Sequence, residues 1–315
     1  MIQASGEARP RVVAVVGPTA AGKTDLAAEV ARASNGEVVS VDSRQVFRRL
    51  DIGTAKPSAE LRADVPHHLV DVVEPDEPFD VARFQDLGRA AIEDTLGRGQ
   101  AVVLCGGSGL YLRALTEGLC PAPPADPDMR AELACERAER GLEALHRELS
   151  VVDPAAAKRI APRDAVRIIR ALEVARLTGR PLSEWQRDHA FADRPYEVLV
   201  LVLSPESAAL DDRIVLRTDK MWKDGLLEET RGILEAGFDG RLQPLQAIGY
   251  REAQAVLRGE MEVPAAIERI RIDTRRYAKR QRTWFRRLEG AEWLDGSESS
   301  GTVTDRAARF LERGP

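Results

Sequence analysis

The chain has 315 residues, 43% of them hydrophobic and 31% charged, and a net charge of −5 at pH 7. It is long enough for one large globular domain or two ordinary ones, and its average charge does not point to nucleic acid, so charge has to be read locally. Three scattered cysteines, Cys105, Cys120 and Cys135, without a CxxC pair or nearby histidines exclude a structural zinc site and suit a reducing compartment. Met1 to Arg11 lacks the apolar core of a signal peptide, and no run of about 18 apolar residues exists to span a bilayer. The expectation is a cytoplasmic protein with no membrane segment.

The first element is the β-branched run Val12 to Val16, a buried strand, followed by Gly17-Pro18-Thr19-Ala20-Ala21-Gly22-Lys23-Thr24 and a helical stretch from Asp25 to Ala33. Those eight residues fit G-x-x-x-x-G-K-[ST] in the strand-to-helix setting that a phosphate loop requires, the motif of ATP-binding and other nucleotide-binding proteins. Glycines let successive N–H groups converge, the helix N-terminus adds partial positive charge, and Lys23 adds a full one. Thr24 offers its hydroxyl to a magnesium ion on the phosphates. Alone, the loop says only that a polyphosphate binds.

Glu37 to Val41 reads as a second buried strand that delivers Asp42 and Ser43 at its carboxyl end, where ligands collect in an open parallel sheet. Asp42 is a candidate for chemistry, although an Asp there also caps local turns. Arg44 to Asp80 is irregular and rich in proline. Arg83 to Arg98 is helical, with Phe84, Leu87, Ala91 and Leu96 near period 3.6 and Gly97 and Gly99 ending it. Ala101 to Cys105 is a third buried strand, followed by Gly106-Gly107-Ser108-Gly109. Phosphate-loop ATPases and GTPases hold magnesium with an Asp at the end of an apolar strand; Cys105-Gly106 in that place argues against ordinary ATP hydrolysis. The spacing is that of βαβ units, hence an α/β fold with a phosphate-loop NTPase-like parallel sheet core.

Cys120 to Ala125 reads as a linker. Asp126 caps and Pro127 opens a charged helix to about Ser150, and a second runs from near Asp164 to before Gly179, with Arg163, Arg167 and Arg170 along one side. These suggest an inserted helical subdomain over 121–190 between core segments 1–120 and 191–315. The sheet resumes at Tyr196 to Leu203, and Glu206 to Ala236 is helical, with Arg213, Arg217 and Lys220 in mutual reach. They form either a solvated face or an anion clamp.

Arg269 to Arg287 carries nine basic residues against one acid, Asp273. Arg275, Lys279, Arg282 and Arg286 share a face; Ile270, Tyr277, Trp284 and Leu288 form an apolar stripe, read as core packing ahead of base stacking. Such charge density in a net negative chain suits a polyanion larger than a diphosphate. Glu292 to Leu294 is a short apolar segment, Gly296 to Gly301 is flexible, and a last helix runs to about Arg313.

Together these stretches resemble the tRNA dimethylallyltransferase family, the isopentenyl-tRNA transferases. GPTAAGKT, DSRQVFRRLDIGTAKPS from Asp42 to Ser58, Pro66-His67-His68, Gly106 to Leu112, RDAVRIIRALEV from Arg163 to Val174, AIGYRE from Ala247 to Glu252 and AKRQRTWFRR from Ala278 to Arg287 occur in the family's order. They span nearly the whole chain. The DIGTAKP and KRQ-TWFR elements are far more specific than the phosphate loop.

The resemblance implies transfer of a dimethylallyl group from dimethylallyl diphosphate to N6 of the adenosine just 3′ of the tRNA anticodon, with diphosphate released. It implies that Asp42 takes the amine proton, that Thr24 and Mg2+ hold the diphosphate with Lys23 and the loop residues Gly17 to Thr24, and that Arg217 contacts it. It also implies contacts to the tRNA anticodon stem-loop from Asp42, Ser43, Arg44 and Gln45, Ser108, Arg130, Val166, Arg167, Ile168, Ile169 and Arg170. Gln246, Ala247, Ile248, Gly249, Tyr250 and Arg251 extend that set, as do Lys279, Arg280, Gln281, Arg282, Thr283, Trp284, Phe285 and Arg286. The chain is expected to act as a monomer.

Phe47 stands where many members have Tyr, and Ser108 where some have Thr; the first removes a hydroxyl contact and the second keeps one. Nothing after Arg287 could form the zinc finger of the longer eukaryotic members, so the chain looks like the short bacterial form. Three rivals remain: a phosphate-loop small-molecule kinase, a prenyltransferase acting on free adenine nucleotides, and a non-catalytic RNA-binding protein.

Overall fold

The computed structural model describes residues 9–190 and 192–312. Most of the Met1 to Arg11 segment, Phe191 at the expected subdomain boundary and Arg313 at the expected end of the last helix lie outside the described residues. In chain order the elements are β1 (Arg11–Val16), α1 (Lys23–Ala33), β2 (Gly36–Val41), α2 (Ala59–Asp64), β3 (His67–His68), α3 (Val81–Gly97), β4 (Ala101–Gly106) and α4 (Gly109–Glu117). Then come α5 (Pro127–Arg140), α6 (Leu142–Val152), α7 (Pro154–Arg159), α8 (Ala165–Thr178), α9 (Leu182–His189), β5 (Glu197–Leu203), α10 (Ser207–Lys223) and α11 (Leu226–Glu235). The chain ends with α12 (Tyr250–Leu257), α13 (Val263–Phe285), β6 (Glu292–Leu294) and α14 (Ser300–Glu312). It divides into two compact units, Met1–Thr116 with Pro195–Pro315, and Glu117–Arg194.

The first unit is an α/β layer structure around a six-stranded sheet in the order β3-β2-β4-β1-β5-β6, every pairing parallel. Both faces of the sheet are covered, which is why its strands read as unbroken apolar runs instead of alternating ones. Val12, Ala14 and Val16 of β1 join one core with Val39, Val41, Val102, Leu104, Phe84 and Ile92; Val13 and Val15 join the opposite core with Val38, Val103, Leu26 and Ala27. The expected irregular stretch between Arg44 and Asp80 holds only the short α2 and the two-residue β3.

The second unit has a core of its own, built from Leu133, Leu145, Leu149, Ile168, Ala171 and Leu172. Asp126, Asp153 and Asp164 each cap a helix by accepting from a backbone N–H. The single helix expected from Asp126 to about Ser150 is two, because Gly141 between them has φ 79°, a left-handed conformation that no helix can contain. The same correction applies to Glu206 to Ala236, where Gly225 at φ 105° separates α10 from α11.

The stripe expected on α13 packs on the sheet core through Ile270, Trp284 and Leu288, while Tyr277 is not part of that cluster. The buried line of the helix is Ala266, Ile270, Ala278, Gln281 and Phe285, while Tyr277, Trp284 and Leu288 are half-buried. A drift of about 20° per seven residues keeps Ile270, Trp284 and Leu288 within one apolar face.

Candidate functional site

The sheet register brings the candidate residues to one edge. Val16 of β1 and Val41 of β2 both lie opposite Gly106 of β4, so Gly17, Asp42 and Gly107 leave the sheet at the same level. Gly17 at φ 146° has room for no side chain: a Cβ there would sit 2.2 Å from the Leu203 carbonyl oxygen. Lys23 opens α1 and donates from Nζ to the Pro18 carbonyl at 2.7 Å. Burial pulls its pKa down to about 8; Cys105 and Asp42 oppose the shift, and Arg217 adds to it.

Asp42 caps the turn that follows β2. Its Oδ1 accepts from the backbone N–H groups of Arg44 at 2.8 Å and Gln45 at 3.4 Å, while Oδ2 has no hydrogen-bond partner among the described residues. One oxygen builds the turn and the other is unengaged there. The carboxylate charge acts on Lys23 of α1, Arg44 of the following loop, Cys105 of β4, Tyr111 of α4, Arg217 of α10 and Tyr277 of α13. Six side chains from separate segments therefore converge on one anion. Burial pushes Cys105, Tyr111 and Tyr277 each up to about 12, so all three are neutral at pH 7. Burial also lowers the pKa of Arg217 against the pull of Asp42, and Arg217 makes no ion pair among the described residues.

Arg213 donates to the Ala21 carbonyl of the loop at 3.0 Å, whereas Lys220 points to Asp224 and is exposed. The expected trio on α10 thus reduces to Arg213 and Arg217 for the phosphate loop. The Thr24 hydroxyl has no partner among the described residues, where no cluster of three or more His, Cys, Asp or Glu forms a metal cage.

The loops after β2 are locked from within. Ser40 donates to Gln45 Oε1, and Gln45 Nε2 donates to the Thr54 and Ala55 carbonyls. Lys56, only 3% exposed, bonds the Phe47 carbonyl, Asp51 and Asp71. Glu229 of α11 gathers the N–H groups of Asp51, Ile52 and Gly53 together with the Tyr250 hydroxyl at 2.6 Å. Gly53 and Tyr250 are matched in shape, since a Cβ on Gly53 would strike the tyrosine ring at 2.4 Å. Phe47 is a core side chain, edge-on to Phe79. His68 bonds Glu37 at 2.6 Å, and Glu37 is held down at about 2, first by Arg98. Glu37 is the second residue of β2, and His67 and His68 pair with Val38 and Val39 in mid-strand, short of the carboxyl-edge site.

The residues expected at the nucleic acid divide by burial and partners. Ser108 orders the site by accepting from the Ser43 N–H at 3.1 Å. Arg44 bonds Gln243, and Gln246 bonds the Gly240 carbonyl. Ile168, Tyr250 and Phe285 are core side chains; Gly249 is buried as well, and Ala247, Ile248 and Ile169 are half-buried. On α13, Lys279, Arg280, Thr283 and Arg286 are exposed, and none of the three cations has an acidic partner among the described residues. Arg282 instead holds the loop after β5 through Ser204, Pro205 and Ser207, and Trp284 packs on Gly109. Arg251 pairs with Glu252 and Asp273. Within the second unit, Val166 and Arg167 are exposed, while Arg130 and Arg170 both bond the buried Glu173. Burial would raise the Glu173 pKa, but the two guanidinium groups outweigh it and hold it low.

The model of the IPP transferase family matches residues 45–288. A tRNA dimethylallyltransferase of Geobacter metallireducens is 50% identical over 92% of this chain and 94% of its own, and one of Syntrophobacter fumaroxidans is 48% identical over 96% and 88%. Among solved structures, the tRNA isopentenylpyrophosphate transferase of Bacillus halodurans has 40% identity and a TM-score of 0.71, covering 96% of this chain and 97% of its own. A eukaryotic dimethylallyltransferase acting on tRNA has 26% identity and a TM-score of 0.83, covering 97% and 80%.

Proposed function

The chain belongs to the IPP transferase family, and on that premise we propose that it is a tRNA dimethylallyltransferase, moving the dimethylallyl group of dimethylallyl diphosphate to N6 of the adenosine 3′ of the anticodon. The carrying observation is the strand-edge register that sets Asp42 level with the phosphate loop, its Oδ2 unbonded and its charge acting on Lys23 and Arg217.

The chemistry follows from that arrangement. The exocyclic amine is a weak nucleophile because its lone pair is delocalised into the ring. As the carbon–nitrogen bond forms and the allylic carbon–oxygen bond breaks, the amine proton passes to Asp42 Oδ2 and diphosphate leaves. The loop N–H groups, Lys23 and Arg217 stabilise the charge that accumulates on the leaving oxygen. Thr24, whose hydroxyl has no partner among the described residues, would hold Mg2+ through that oxygen; when bound the ion would neutralise part of the diphosphate charge. Three neutral groups, Cys105, Tyr111 and Tyr277, surround Asp42 without competing for the amine proton.

A base inside the anticodon loop reaches such a site only by leaving its stack, at a cost of about a few kcal/mol. We assign the offsetting contacts to the loop from Asp42 to Gln45, to Ser108, to the exposed cations of α13, and to Val166 and Arg167 of the helical unit. Among the described residues no helix is long and apolar enough to cross a membrane. We place the enzyme in the cytoplasm as a monomer.

The test is incubation with Mg2+, labelled dimethylallyl diphosphate and unmodified tRNA, ATP omitted, followed by nucleoside analysis. Label in N6-dimethylallyladenosine is the expected result. Transfer to free AMP without tRNA, or phosphate transfer on adding ATP, would overturn it.

A further inference from the structure

Gln281 is 7% exposed, yet it carries a full amide into the interior, which is costly unless both ends are bonded. Both are. Its Oε1 accepts from the Thr19 N–H of the phosphate loop at 2.8 Å, and its Nε2 donates to the Gly107 carbonyl at 2.9 Å. Three elements distant in sequence, the turn after β1, the turn after β4 and helix α13, thus meet on one side chain.

The two glycines after β4 are shaped for this. A Cβ on Gly107 would lie 2.2 Å from Gln281 Nε2, and one on Gly109 would lie 2.2 Å from the Trp284 ring. Gln281 and Trp284 are three apart on α13, hence on one face, and they seat against glycines two apart in the turn. The fit fixes α13 along its axis as well as against the sheet. A leucine could fill the same space without the cost of burying an amide, so packing alone does not account for a glutamine here.

We propose that Gln281 is a positioning residue for the donor site: it holds the Thr19 N–H away from the phosphates, as the Pro18 carbonyl holds that of Ala21, and sets the loop so that the N–H groups of Ala20, Gly22, Lys23 and Thr24 converge on a diphosphate. It reads no nucleotide itself. The cations beside it on α13, Lys279 and Arg280, are exposed and take the polyanion, so one helix serves the acceptor with its outer face and the donor with its inner one. The assignment of the loop to the donor diphosphate rests on the function proposed above.

The test measures binding of magnesium diphosphate by calorimetry, and of an anticodon stem-loop separately, for the wild type, Gln281→Met and Gly107→Ala. Methionine keeps the length and loses both hydrogen bonds; the alanine methyl displaces the amide from the opposite side, and decides the matter if the first variant does not fold. Each variant should bind diphosphate at least tenfold more weakly, raise the donor KM by a similar factor, and bind the stem-loop within twofold of the wild type. Unchanged diphosphate affinity, or a loss confined to the stem-loop or shared equally by both ligands, overturns the proposal. Diphosphate binding needs no turnover, so a wild type that binds diphosphate but prenylates no tRNA would fault the proposed function and not the role of Gln281.

Discussion

The cations at the strand edge and those along the first half of α13 look alike in sequence and differ in what neutralises them. Arg269 and Arg276 pair with Asp273, Arg271 with Asp219 and Glu268, and Arg275 lies near Asp211 and Glu268. Lys23 and Arg217 have no acid within ion-pair distance among the described residues; the nearest anionic influence is Asp42, itself a candidate for the chemistry. A pair at the surface contributes about 0–1 kcal/mol and is finished business. A half-buried cation with its counter-charge missing lowers its own pKa, as Lys23 does, and gains most when an anion arrives. Density of charge was therefore a weaker guide than absence of a partner, and it divides α13 itself: the second half, with Lys279, Arg280 and Arg286, is unpaired like the strand edge.

The sharpest way to break the comparison is Asp42→Asn, which keeps the Oδ1 that builds the turn and should lower the rate of transfer by about 10²–10⁴-fold while stem-loop affinity survives; equal loss of both would return Asp42 to its turn. Next, Lys279→Ala with Arg280→Ala should reduce the log–log salt slope of tRNA binding by about two units, roughly a 16-fold smaller change between 50 and 200 mM salt. For Lys23 the sign is fixed by its lowered pKa: the ammonium loses its proton as pH rises through about 8 and regains it beside a diphosphate. With the diphosphate itself fully charged only above about pH 7, affinity should change little between about pH 7 and 8 and fall by up to about tenfold per unit above it, and a flat profile to pH 9.5 would mean Lys23 does not meet the donor. The smallest effect belongs to Arg269→Ala with Arg276→Ala, which should leave that salt slope unchanged, since both already lie on Asp273.

How much of this the sequence disclosed follows from how local each feature is. The phosphate loop, the strands and Asp42 are set by neighbours a few residues away, and the parallel α/β core followed from their spacing. The helix breaks at Gly141 and Gly225 did not, because a glycine inside a helical pattern costs only about 1 kcal/mol and its left-handed φ is visible only in the fold. Gln281 read as a nucleic-acid residue because its partner Thr19 is 262 positions away, and Glu229 went unnoticed because the N–H groups it gathers are 176 to 178 positions upstream. Arg282 stands among the tRNA contacts that the resemblance implies, and its bonds to the loop after β5 were not legible because those partners lie 75 to 78 positions away.

The parallel pairing of β1 with β5 carries a consequence in time. Arg11 bonds Glu197 across 186 positions, so the strand that bears the phosphate loop lacks one of its two neighbours until nearly two-thirds of the chain exists. At about 5–20 residues per second that is a wait of roughly 10–40 s during synthesis, with an apolar strand edge open to any other chain nearby. The helical unit emerges entirely within that interval and has a core of its own to close. Slowing synthesis just before residue 197 should therefore expose this enzyme to aggregation more than slowing it after residue 203.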